Sequence, residues 1–64
     1  MNYRIGSIIE YKTYTGELRR VRVTARDPDI KHGCAGFDAV VLGKSEEVGG
    51  VWGYDDQITR VVVR

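Results

Sequence analysis

The sequence predicts an all-β fold, and three observations carry that expectation. Five short stretches alternate apolar and polar residues or concentrate β-branched and aromatic side chains. Segments rich in glycine, aspartate and serine separate them, as turns between strands require. No stretch of useful length carries the 3.6-residue apolar period of an amphipathic helix.

The first strand is expected over Ile8–Tyr14, after Gly6-Ser7, with Ile9 and Tyr11 facing the core. Tyr3, in the polar lead before it, has an apolar ring suited to packing on the body of the domain. Thr15-Gly16 supplies the turn into a second strand over Glu17–Arg26. There Val21, Val23 and Ala25 point one way, and Arg20, Arg22, Thr24 and Arg26 the other. Leu18 falls out of phase with this run, which puts a bulge near Arg19-Arg20. Asp27 to Gly33 reads as one helical turn or a compact loop, with Asp27 as cap, Pro28 in the first turn, Gly33 as stop and Ile30 tucked inward.

Gly36–Leu42 forms the expected third strand, with Phe37, Ala39 and Val41 on one face and a partly apolar opposite face, as in a central strand. A glycine-bounded hairpin loop, Gly43–Gly50, leads to a short fourth strand, Val51–Tyr54. Asp55-Asp56 breaks the chain before a final strand, Ile58–Val63. Trp52 is the largest apolar group available to close the core, and the core is where it is expected. A groove built from it and the tyrosines is the competing placement. Five antiparallel strands with one longer loop and a tight turn before the last give a small SH3-like barrel; an OB-fold would need more residues and a helix between strands.

With 64 residues the chain reads as one domain spanning positions 1–64. A chain of this size buries only about 60% of its unfolded surface, which leaves little room for a deep substrate pocket. The reading is therefore non-enzymatic. A formal net charge of +1 gives no bulk argument for nucleic acid. One cysteine excludes an internal disulfide, and one cysteine with one histidine cannot build a structural zinc site. Neither cofactor nor metal is expected. No apolar run approaches the roughly 20 residues needed to span a bilayer, so no membrane partner is expected and a cytoplasmic location is.

Taken together, Gly6-Ser7-Ile8-Ile9-Glu10-Tyr11, Asp29-Ile30-Lys31-His32-Gly33, Gly36-Phe37-Asp38 and Trp52-Gly53-Tyr54-Asp55-Asp56-Gln57-Ile58 give the chain a family likeness. It resembles small uncharacterised proteins of actinobacteria and their bacteriophages. More distantly it resembles the bacterial Tudor-like members of the SH3-like barrels. The likeness implies an SH3-like fold and a phage origin, which would place the protein in the host cytoplasm. It carries over no activity and no functional residue.

Candidate sites are few. Tyr14, Ile30, Phe37, Trp52 and Tyr54 offer apolar anchor area for a protein partner around the Asp27–Gly36 segment. Tyr11, Tyr14, Trp52 and Tyr54, with Asp55 and Asp56 beside them, have the composition of an aromatic cluster that could hold a cation. The alternative is a nucleic-acid surface in which Arg20, Arg22 and Arg26 line one face of the second strand and track phosphates. Its plainer counterpart is a solvated strand face paired with Glu10, Glu17 or Asp38. His32 and Cys34 raise the thought of a thiol–imidazole pair, but residues two apart on a loop rarely meet the geometric demands of nucleophilic catalysis. Asp27 with Asp29, or Asp55 with Asp56, is too sparse for a calcium site. The β-prone segment Thr59 to Arg64 would invite a homodimer if it lay at a sheet edge.

Overall fold

The computed structural model describes residues 2–64. Five antiparallel strands form one curled sheet: β1 (Ile8–Lys12), β2 (Leu18–Lys31), β3 (Cys34–Val41), β4 (Gly50–Tyr54) and β5 (Ile58–Val63). Their spatial order is β4-β3-β2-β1-β5, a meander of four strands with the last returning beside the first. This is the small five-stranded SH3-like architecture the sequence predicts. The barrel keeps a seam, since among the described residues no ladder joins β4 to β5. A one-turn helix, α1 (Glu46–Gly49), precedes β4, and a 3-10 turn (Asp55–Gln57) links β4 to β5.

Alternation decides what lies inside. Ile9, Tyr11, Val21, Val23, Phe37, Ala39 and Ile58 are buried on the concave face, with Val41, Val51 and Val61 packed against them. Phe37 is the centre of this core: it has no exposed surface. The rings of Tyr11 and Tyr3 meet it edge to face, at centroid distances of 5.4 and 6.2 Å. Tyr3 is 4% exposed and closes one end of the sheet. Its hydroxyl donates to the Asp55 carboxylate, Arg26 donates to its carbonyl at 2.8 Å, and the Arg26 guanidinium lies 4.1 Å above its ring. Burial first, and then the bond to Asp55, push the Tyr3 phenol up to about 12.

Three expectations are corrected. Trp52 is not core: it is 39% exposed. The register explains this, because Val51 pairs with Ala39 and Gly53 with Phe37, so β4 turns Val51 and Gly53 inward and Trp52 outward beside Asp38. A Cβ on Gly53 would stand 2.9 Å from the Phe37 ring, so the space that a large β4 side chain would need is already filled.

Next, Asp27 to Lys31 is strand rather than loop or helical turn. Asp27 accepts the Asp29 amide at 2.9 Å and Asp29 accepts the Gly33 amide at 2.7 Å, which stabilises a register shift between Asp27 and Lys31. Pro28 sits within that shift, where a strand tolerates a missing donor. His32 and Gly33, at φ 54° and 75°, make the two-residue turn into β3; positive φ at both positions is the type I′ signature.

Finally, the bulge in β2 lies at Thr24, not at Arg19-Arg20: Val23 pairs with Ala39 but Ala25 pairs with Asp38, while the β1–β2 register runs unbroken from Ile8↔Arg22 to Lys12↔Leu18. The other departures are small. The first strand stops at Lys12, the third begins at Cys34, and the predicted loop before β4 contains α1.

Candidate functional site: an aromatic groove along the barrel seam

The bulge at Thr24 splits the arginine row. Arg20 pairs with Glu10, and Arg22 with Ile8 and Val40, on the convex side, whereas Arg26 pairs with Phe37 and so turns to the concave side, where Tyr3 engages it. The three do not share a face. Arg20 is also occupied: its Nε lies 3.2 Å from the Glu10 carboxylate, which Arg60 approaches from β5 at 3.8 Å. This ladder of Arg20, Glu10 and Arg60 is the cross-strand charge pairing ordinary for an exposed sheet face.

Of the five residues expected to meet a protein, Phe37 is wholly buried and cannot touch one. Ile30 is half-buried and packs over Gly36, where a Cβ would stand 2.5 Å from its methyl. The other three come together. Trp52 and Tyr54 meet edge to face at 5.4 Å on the outer side of β4. Partial burial raises the Tyr54 phenol, and the neighbouring Tyr14 phenol is the next contributor. Tyr14 is 85% exposed, at the tip of the β1–β2 hairpin. Lys31 places its Nζ 4.7 Å above the Trp52 ring, so the indole face already attracts a cation.

The Trp52 and Tyr14 rings border a groove of about 260 Å³, with Tyr54 behind Trp52. Val51 and Trp52 of β4 line it, and Tyr11, Thr13, Tyr14 and Arg19 of the β1–β2 hairpin contribute the rest with Gln57. The groove lies between β4 and the β1–β2 hairpin, at the open side of the curled sheet. The Gln57 side chain bridges the two: it accepts the Tyr54 amide at 2.8 Å and donates to the Lys12 carbonyl at 3.0 Å. Arg19 stands in the groove beside Tyr11 and Glu17, both of which favour its charged form, Tyr11 the more.

Arg19, Val51 and Gln57 were not foreseen as site residues. Their signal is weak, because an arginine out of phase with its strand and a glutamine after two aspartates are ordinary surface residues in sequence.

The remaining candidates are plain. His32 and Cys34 are both exposed at the β2–β3 turn, and among the described residues the thiol hydrogen-bonds only to the His32 carbonyl, at 3.8 Å. Asp27 and Asp29 are engaged by backbone amides. Among the described residues no group of three or more histidine, cysteine or acidic side chains could hold a metal ion, and no helix is long and apolar enough to cross a membrane.

No protein-family model, curated protein or solved structure matches the chain.

Proposed function

We propose that this protein is a non-enzymatic binding module that contacts a protein partner through the aromatic surface formed by Trp52, Tyr54 and Tyr14. The observation that supports this most is the placement of Trp52. The largest side chain of a small domain is held at the surface, beside two further rings and over a groove, while the core is closed without it. Exposed aromatics grouped at a concavity are the usual anchors of protein recognition, since they combine large contact area with little rotamer entropy to lose. Arg19 at one end and the open edge of β4 add polar groups that would orient a ligand. The reading keeps the cytoplasmic setting and phage origin expected from the sequence.

A displayed random-peptide library panned on the purified chain tests this. The reading expects enriched peptides whose affinity drops on Trp52→Ala or Tyr14→Ala by roughly tenfold or more, as for interface anchors. Failure to enrich any sequence, or enriched peptides indifferent to both substitutions, would overturn it.

A further inference from the structure

The sheet ends in two free edges, β4 and β5, and they differ. The β5 edge is guarded: its pairing with β1 breaks register between Ile8 and Ile9 and again between Glu10 and Tyr11, leaving Val62 and Thr59 unopposed. Bulges of this kind, with a charge such as Arg60, discourage added strands. The β4 edge has neither. Its pairing with β3 is regular from Gly36↔Tyr54 to Val40↔Gly50, and Gly50-Val51-Trp52-Gly53-Tyr54 holds no charge and no proline.

Hydrogen bonding fixes which β4 groups point outward. The Gly50 amide donates to the Glu46 carbonyl and the Tyr54 amide to Gln57, so both point away from β3. Period-two geometry turns the Trp52 amide and carbonyl the same way. No turn, loop or side-chain hydrogen bond among the described residues reaches them. Trp52 thus offers the donor–acceptor pair that an added antiparallel strand uses, with the carbonyls of Gly50 and Tyr54 on either side.

Charge selects the strand. A second hollow shares Arg19 and Val51 with the aromatic groove and continues it along β4 toward α1. Across the two, the charged lining residues are Arg19, Arg20 and Lys44, all cationic, with Arg20 engaged by Glu10 on the convex face; Asp38 and Glu46 line a separate hollow beside Gly50, Val51 and Trp52, where the added strand's apolar set would lie. Glu17 pairs with Arg19, but an exposed pair of this kind holds weakly and yields to a ligand carboxylate.

We propose that the β4 edge is a strand-addition site for an extended, acidic segment of a partner protein. The partner's backbone bonds to Trp52, one set of its side chains presents carboxylates to Arg19 and Lys44, and the alternate apolar set lies on the Trp52 and Tyr54 rings. This rests on the aromatic-surface reading above and names its mode and its ligand.

The test is a ¹⁵N NMR titration of the full chain with three synthetic peptides of equal length. One alternates valine and glutamate, one alternates valine and lysine, and one is the valine–glutamate peptide with alternate backbone amides N-methylated. The valine–glutamate peptide is expected to shift the Trp52 amide most and to slow its hydrogen exchange. The valine–lysine and N-methylated peptides should bind roughly tenfold more weakly or worse. Arg19→Glu should weaken the valine–glutamate peptide by a similar factor. Equal response to acidic and basic peptides, insensitivity to N-methylation, or shifts along β5 instead would each overturn the proposal. So would concentration-dependent protection of the Trp52 amide without peptide, which would give the edge to a second copy. Library peptides that need the Trp52 ring but leave its amide exchanging freely would overturn strand addition while leaving the aromatic surface in place.

Discussion

The chain's aromatic residues, four tyrosines, one tryptophan and one phenylalanine, divide into two sets with opposite fates. Tyr3, Tyr11 and Phe37 are buried, with both tyrosine rings packed on Phe37; Tyr14 and Trp52 are exposed at the groove, and Tyr54, half-buried, packs against Trp52. Size does not sort them, for the largest ring is outside. Register sorts them: Phe37 enters from the central strand β3, Gly53 opposite makes room for it, and the β4 pleat then sends Trp52 and Tyr54 outward. A small domain needs its large rings for stability, so three gathered at the surface need another explanation.

The largest effect expected is at the heart of the buried set. Phe37→Ala removes the ring that Tyr3 and Tyr11 both contact and should cost about 3–5 kcal/mol, comparable to the whole stability of a domain this small. Urea or thermal unfolding reads it directly; a loss below about 1 kcal/mol would dissolve the distinction between the sets.

Gly53→Ala probes the complement of that ring. Its Cβ would press on Phe37 at 2.9 Å and on the Gln57 side-chain Oε1 at 3.2 Å, so overpacking of about 1–3 kcal/mol is expected by the same measurement. A neutral or stabilising result would show that the core beneath β4 has room to spare.

Tyr3 gives a pH signature. Its folded pKa, about 12, lies above the ordinary 10.0, so between those values the unfolded chain sheds the phenolic proton while the folded chain retains it. Stability is therefore complete below pH 10 and falls as pH rises toward 12. Comparing unfolding curves for wild type and Tyr3→Phe isolates this contribution, because phenylalanine cannot titrate. Parallel pH dependence in the two proteins would place Tyr3 in a solvated setting instead.

Trp52→Ala should be the mildest of the four for stability. It forfeits one edge-to-face contact with Tyr54 and the Lys31 cation above the indole, together worth about 1–2 kcal/mol at most at a partly exposed site.

The strands of regular alternation were legible in the sequence. The last strand is legible to the residue as Ile58–Val63, Ile9 and Tyr11 are legible as core, and Val21 with Val23, and Phe37 with Ala39, are legible as pairs that share a face, although Phe37 was expected to meet a partner and the core takes it instead. What failed depends on pairing, which a single strand does not encode. The bulge at Thr24 leaves alternation in β2 apparently unbroken, yet it carries Arg26 to the opposite face from Arg20 and Arg22. Asp27-Pro28 has the local chemistry of a helix start, and pairing with β3 overrode it.

The site was half legible. Tyr14, Trp52 and Tyr54 were among the residues singled out, but Trp52 was expected inside, since hydrophobic mass alone argues for burial. The clue that would have reversed this is Gly53, whose lack of a side chain on the inward phase of β4 leaves the space that Phe37 fills. The seam itself, bridged by Gln57 from Tyr54 to Lys12, is a contact between residues 45 apart in the case of the Lys12 bond and has no local signature.

Acrylamide quenching of native-state tryptophan fluorescence tests the central claim most directly, because Trp52 is the only tryptophan in the chain. With 39% of its surface exposed, the folded protein should be quenched at a sizeable fraction of the rate seen in denaturant, and an acidic valine–glutamate peptide should reduce that quenching. A blue-shifted emission that acrylamide barely reaches in the folded chain would return Trp52 to the core and contradict the division on which the binding surface stands.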